Sequence, residues 1–488
     1  MPQKFQPMRE RTPGLLLSLT PIVVLIAMLA LNINLFGEDS VSGPNQIALM
    51  MAAAMAAVIS LTHGHNWKNI RKQVVKSIGD AMPSILILFL IGSLAGTWML
   101  SGVVPTLIYY GLELLNPTIF LMVAVVISAV VSLATGSSWS TIATIGVALL
   151  GIGTALGFNQ AIVAGAIISG AYFGDKMSPL SDTTNLAPAM AGTDIITHIK
   201  YMTYTTVPSI SITLIIFLVM GFTITPNPSS LGTNEMLEAI DSIFFINPVL
   251  LLVPIILIVI IIRKTSPIPA LFIGTILGAV AAVIFQSQLL SELANGEHSF
   301  LEAAYMTISQ SMFGTLEIPS DNKIISDLLS TGGMAGMLDT IWLVLTAMTF
   351  SGIMESAGML VRIADSIVRF AKSTGSLVAS TVVTSIFMNV TSSEQYISIV
   401  VPGRMYADIY KKKGLKPEVL SRTLEDGGTV TSVLIPWNTC GAVQSSVLGV
   451  STLAYAPYVF FSIISPFMTI AFAYLNIKIR RFSDDLKK

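Results

Sequence analysis

The chain has 488 residues, 53% hydrophobic and only 11% charged, and its 26 basic and 27 acidic side chains leave a formal net charge of −1. A soluble domain carries about 25% charged residues, so a water-soluble globule is excluded, and the balanced charge offers no basic surface for nucleic acid. The lone cysteine, Cys440, excludes an intramolecular disulfide and any multi-cysteine metal or cluster site.

Apolar runs near twenty residues recur along the chain, each long enough to cross about 30 Å of hydrocarbon. A porin-like barrel would show short alternating strands instead. The first run, Leu15 to Leu35, is too long for a signal-peptide core and lacks a small-residue cleavage site, so it reads as a retained span. Basic segments lie at Lys4, Arg9 and Arg11, at Lys68, Arg71, Lys72 and Lys76, at Arg263 and Lys264, at Arg362, Arg369 and Lys372, at Lys411 to Lys416, and at Arg480 and Arg481. Acidic or uncharged loops fall between them. The positive-inside rule assigns the basic loops to the cytoplasm, and alternate threading predicts about fourteen spans with both termini cytoplasmic. Amphipathic stretches near His63–Lys76 and Val361–Lys372 are expected along the cytoplasmic interface or as inward extensions of spans.

A sparse repeat crosses this pattern. Gly96, Gly102, Thr135 and Ser137 recur 256 positions later as Gly352, Gly358, Thr391 and Ser393. The loop before the first copy is basic and the loop before the second acidic, so the copies enter the membrane in opposite directions. Inverted repeats of this kind are typical of secondary transporters, whose sites lie between the halves. The predicted division is 1–80 for the first two spans and their loop, 81–224 for the first repeat core, 225–336 for linking spans and an external polar segment, and 337–488 for the second core.

Ionisable groups at membrane depth are costly and functional by default, and helix breakers beside them free backbone oxygens to line a cavity. Four segments combine the two. Thr135–Thr141 places Ser137 and Ser138 at a glycine break. Gly174–Asn185 holds Asp175, Lys176 and Asp182 with Ser178, Thr183 and Asn185 as neutral oxygen donors, and Pro179 breaks the helix. Asn389–Gln395 carries Ser393 and Glu394, so a carboxylate stands where the other half has Ser138. Leu424–Ser432, continuing through Ile435–Gly441, carries Asp426, Thr429 and Asn438 beside two glycines. Lys176 is a candidate charge partner in this set.

Other residues carry less. Glu355 is a candidate proton relay, while Asp80 and Asp339 are expected near span ends as caps or interfacial groups. Cys440 is expected to serve packing. The 24 methionines show no clustered spacing, and His63, His65, His198 and His298 are expected in loops without a zinc-binding pattern. No cofactor is expected.

At the segments TGSSWST (Thr135–Thr141), GDKMSPLSDTTNLAP (Gly174–Pro188), VVPGRMYADIY (Val400–Tyr410) and LEDGGTVTSVLIPWNTCGA (Leu424–Ala442) the chain resembles the NhaC family of sodium/proton antiporters. The first departs conservatively, reading Gly-Ser-Ser-Trp-Ser where the family more often has Gly-Thr-Ser-Trp-Gly. The resemblance implies an all-α polytopic fold of two inverted repeats, with broken helices meeting at the midplane, in the inner membrane of a prokaryote. It implies ion coordination by Asp175, Asp182, Glu394 and Asp426, helped by Ser138, Thr183, Asn185, Thr429 and Asn438. The expected partners are Na⁺, H⁺ and the lipid bilayer, with room for a homodimer. The expected activity is exchange of cytoplasmic Na⁺ for external H⁺ through one shared set of carboxylates. The family also contains ion-coupled malate/lactate exchangers, for which Lys176, Arg404 and Arg422 are the cations near the motifs. A channel would need a repeated filter or charged ring, and a hydrolase a histidine at depth; neither is evident.

Overall fold

The computed structural model describes residues 11–224, 233–294, 299–318, 326 and 329–482; Lys4, Arg9 and His298 lie outside them. Each apolar run becomes a helix bounded by residues suited to its ends. α1 (Leu15–Phe36) stops at Gly37, whose φ of 55° no longer propagates a right-handed turn. α2 (Pro44–Thr62) starts with proline at its first position, where the missing N–H leaves no gap. α3 (Trp67–Leu100) is capped by Asn66, whose side chain accepts from the Lys68 N–H at 2.9 Å, so the stretch expected at the interface forms its first turns. α4 (Val103–Leu114), α5 (Pro117–Thr135), α6 (Ser138–Ala155), α7 (Gln160–Met177), α8 (Asp182–Ala191) and α9 (Ile195–Thr223) complete the first half.

α10 (Thr233–Ile243), α11 (Leu252–Ile262), α12 (Pro267–Phe285), α13 (Ser287–Leu293) and α14 (Phe300–Phe313) form the link. The second half contains α15 (Leu338–Ser356), α16 (Met359–Val368), α17 (Thr374–Ser392), α18 (Gln395–Lys412), α19 (Pro417–Leu424), α20 (Thr439–Leu448), α21 (Thr452–Tyr455) and α22 (Phe460–Tyr474). Among the described residues no strand forms; the only bridges are two isolated ones. Among the described residues nine helices are long and apolar enough to cross a membrane, or eleven if two bent pairs each make one span. The count of about fourteen is not reached on that measure. α7 and α18 are too polar and α20 too short, because these are the segments in which the breaks and charges sit.

α3 and α15 lie side by side in opposite directions. Gly92 backs onto the segment just before α15, where a Cβ would stand 2.3 Å from the Gly333 carbonyl oxygen. Gly352, near the far end of α15, backs onto Val74 in the early turns of α3, with a Cβ–Cα distance of 2.8 Å. Both helices end in a left-handed glycine that opens the next helix, Gly102 at φ 78° and Gly358 at φ 67°. α5 and α17 then each run 19 residues to a left-handed residue, Gly136 and Ser393. Such small-residue contacts carry the packing, since lipid provides no hydrophobic drive between helices.

Gly96 is the tightest of these contacts: a Cβ there would lie 1.8 Å from the backbone oxygen of Ser311, whereas one at Gly79 on the same helix meets nothing within 4 Å. Gly96→Ala is therefore expected to destabilise the detergent-solubilised protein by about 1–3 kcal/mol. Gly79→Ala should be neutral or stabilising by up to about 1 kcal/mol through helix propensity. Thermal unfolding of the two variants checks this opposition of sign.

Candidate ion-binding site

α5 ends at Thr135 because Gly136 turns left-handed (φ 70°), and α6 restarts after Ser137, whose hydroxyl accepts from the Ser140 N–H at 3.2 Å. Side chains could not occupy the Gly136 corner, since a Cβ would stand 2.6 Å from that of Leu180. Leu180 belongs to the second break, between α7 and α8, so the two breaks of the first half are pressed together. Asp175, in the last turn of α7, reaches across: its Oδ2 accepts the Ser138 hydroxyl at 2.7 Å and the Ser138 N–H at 3.1 Å. The carboxylate thus sits at the positive end of α6. Thr184 closes the second break by donating to the Asp175 and Lys176 carbonyls at 3.2 and 3.0 Å.

The second half repeats the device with different chemistry. Ser393 takes φ 58°, and Glu394 opens α18 from an extended conformation. Its Oε2 accepts the Thr439 hydroxyl at 3.0 Å, while the Thr439 N–H donates to the Ser393 carbonyl at 3.0 Å. Asn438 caps α20 through the Cys440 N–H and donates to Asn389. Asn389 in turn holds the Gly428 carbonyl, and Gln395 the Thr429 carbonyl. Those two carbonyls belong to the π-helical turn Glu425–Thr429 that follows α19.

A cavity of ≈ 680 Å³ joins these parts. Of the candidate residues, Ser137, Ser138, Asp175, Asp182, Thr183, Asn185 and Glu394 line it. Asp175 and Glu394 are buried in its wall, whereas Asp182 and Asn185 are exposed. Ser178, Ser393, Asp426, Thr429 and Asn438 are buried outside its wall. Thr429 and Asn438 sit in the surrounding packing, and Ser178 accepts from the Leu180 N–H.

Asp426 forms a fully buried ion pair with Lys176 and accepts the Thr205 hydroxyl at 3.0 Å. Lys176 therefore faces away from Asp175: adjacent helical residues point about 100° apart, and the two side chains serve different faces of α7. Glu355 is exposed in the last turns of α15, away from the cavity. Arg422 is fully buried over the Tyr201 ring at 4.5 Å. His198 is not in a loop but buried in α9, with Nδ1 2.7 Å from the Ser421 hydroxyl. Asp80 is not a cap: it lies within α3 and lines the cavity. Two further groups escaped sequence reasoning, Lys264 and Tyr396 in the cavity wall. Position beside a recognised motif could have revealed Tyr396; nothing local marks Lys264.

Discontinuous helices that converge on an acidic, hydroxyl-rich cavity within a helical membrane bundle define a polytopic membrane transport protein. The chain belongs to the Na⁺/H⁺ antiporter family, whose model matches residues 170–477. It is 39% identical to the Na⁺/H⁺ antiporter NhaC of Alkalihalophilus pseudofirmus, over 88% of this chain and 90% of that one. It is 35% identical to the malate-2H⁺/Na⁺-lactate antiporter of Bacillus subtilis, covering 88% and 89% of the two chains. The Na⁺/H⁺ antiporter NhaC of Bacillus subtilis is also 35% identical, with 88% and 92% covered.

Removing one partner of a buried ion pair leaves an uncompensated charge, which is destabilising by about 3–5 kcal/mol, whereas an apolar replacement of both is near neutral. Lys176→Met is accordingly expected to unfold at a markedly lower temperature, and Lys176→Met with Asp426→Leu to recover most of the loss. Fluorescence-detected thermal melts of the purified variants measure both.

Proposed function

We propose that this chain is a secondary active antiporter that exchanges cytoplasmic Na⁺ for external H⁺. The observation that carries the reading is that one cavity brings together Asp175 from the first half and Glu394 from the second, each held by a hydroxyl at a helix start. Na⁺ is a hard cation that takes oxygen ligands, and the wall supplies carboxylates together with hydroxyls of Ser137, Ser138 and Thr183. Among the described residues four carboxylates (Asp80, Asp175, Asp182, Glu394) face one lysine, Lys264, so the space favours cations over anions. The same oxygens bind a proton in place of the ion, and that competition couples the two fluxes. Asp182 and Asn185 act as ligands nearer the water, and the Lys176–Asp426 pair holds the two halves in register beneath the site. Cores 81–224 and 337–488 form the inverted repeats that rock about it, and the loop charges put both termini in the cytoplasm.

In proteoliposomes holding a pH dye, Asp175→Asn and Glu394→Gln are each expected to reduce Na⁺-driven proton movement by about a hundredfold, the loss of a charged ligand at a desolvated site. Asp182→Asn is expected to raise the half-saturating Na⁺ concentration by about tenfold, as removal of one charge-assisted contact does. Wild-type rates in all three would refute the site.

A second reading is ion-coupled exchange of small organic carboxylates, favoured by the cavity volume, which at ≈ 680 Å³ far exceeds a bare ion and suits a small ligand. The malate/lactate relative points the same way. Against it, none of the expected cations lines the space: Lys176 is paired, Arg422 is stacked and Arg404 is exposed on α18. Radiolabelled malate and lactate are expected to show no counterflow in vesicles that exchange Na⁺ for H⁺; saturable counterflow of either would establish the second reading.

A further inference from the structure

A second cavity, ≈ 290 Å³, lies between the start of α15 and the later turns of α20. Asp339, Ser445 and Ser446 line it, its rim is exposed at Ser42 and Asp339, and its floor is buried at Ala442. Among the described residues no lysine, arginine or histidine is in its wall. One carboxylate among hydroxyls is a setting for a cation, and the volume has room for about ten waters, enough for a partly hydrated ion.

The position of this cavity matters more than its size. α3 and α15 are antiparallel, so the first turn of α15 lies toward the end of α3 remote from Trp67. The first cavity abuts α3 lower down, at Asp80 to Ile87, and is bordered by Lys264 in a basic loop. The second is bordered by Ser42, in the loop that carries Asp39. By loop charge the two face opposite sides of the membrane.

Between them stands one turn of α20. Thr439 donates to Glu394, a wall of the first cavity, and Ala442, three residues on, floors the second. Three residues of helix rise only about 4.5 Å. The turn is tightly packed: a Cβ at Gly441 would lie 2.0 Å from the Ile435 carbonyl oxygen. The Gly441 carbonyl itself accepts from the Thr452 and Tyr455 hydroxyls at 3.0 and 3.1 Å. Cys440, in the same turn, is fully buried.

The geometry points to the second cavity as the external vestibule for monovalent cations, with Asp339 as its attracting charge and the Thr439–Ala442 turn as the barrier that separates it from the inner cavity. The ligand class rests on the cation-exchange reading above; the vestibule rests on the two cavities and the loop charges. The test places cysteines on facing walls, Ser446→Cys and Ser451→Cys, in a chain whose own Cys440 is sealed from solvent. Right-side-out and inverted vesicles are treated with a trimethylammonium methanethiosulfonate, a small impermeant cation.

Both cysteines are expected to react from the outside and not from the cytoplasmic side. Saturating external Na⁺, relative to choline, is expected to slow the reaction of Ser446→Cys by about threefold or more, and Asp339→Asn to remove that protection. Asp339→Asn in the otherwise native chain is expected to raise the external half-saturating Na⁺ by about tenfold while the cytoplasmic value holds, the loss of one charge-assisted contact. Reaction of both cysteines from the cytoplasmic side, or from neither, would overturn the vestibule. External reaction without Na⁺ protection would overturn the cation site. Labelling requires no turnover, so vesicles that fail to exchange Na⁺ for H⁺ yet label from outside would refute the exchange reading and leave the vestibule standing.

Discussion

A helix interrupted within hydrocarbon leaves N–H and C=O groups that no solvent can satisfy, and the rest of this structure follows from how those groups are answered. The breaks are closed by side chains, several of them borrowed from a neighbouring break. Asp175 takes the Ser138 N–H, Thr184 holds the carbonyls at the end of α7, Asn389 takes the Gly428 carbonyl and Gln395 that of Thr429. Asp175 and Gln395 are thereby committed twice, once to the backbone of a broken helix and once as walls of the cavity. A change in one break cannot leave its partner's hydrogen bonds intact, which ties together the two breaks within each half, while the Lys176–Asp426 pair joins the halves.

Charge is divided with the same economy. Lys176 and Asp426 neutralise one another in a dry layer where neither could stand alone. With Lys176 engaged there, the cavity keeps its carboxylates, and its one lysine comes from the loop before α12. The acidic space and the neutral pair beneath it are two consequences of one side chain pointing away from its neighbour in sequence.

Much of the fold was legible because membrane helices obey local rules. Run length, loop charge and glycine spacing gave the all-helical bundle, and Gly102 and Gly358 do take equivalent left-handed positions. The break after Pro179 was visible from proline, glycine and hydroxyl density. The span count was less legible, since α7, α18 and α20 carry too much polarity or too few turns to read as simple crossings. Asp80 looked like an end cap because the apolar run begins just after it, yet α3 starts thirteen residues earlier and carries it into the cavity wall. His198 looked like a loop residue because its partner, Ser421, is remote in sequence, and Arg422 likewise meets Tyr201 only on another helix.

The amino-acid sequence by itself determined that the chain is a helical membrane protein and where its helices break, because hydrocarbon thickness and backbone geometry act on consecutive residues. It also supplied Asp175, Asp182, Glu394 and Asp426 as the acids to watch. Only the tertiary structure decided how they divide, with Asp175, Asp182 and Glu394 on a common cavity and Asp426 paired with Lys176 behind it. That division depends on which face of each helix meets which neighbour, a choice made by the fit of glycines such as Gly136 against Leu180 across the bundle. Spacing along one chain does not contain it.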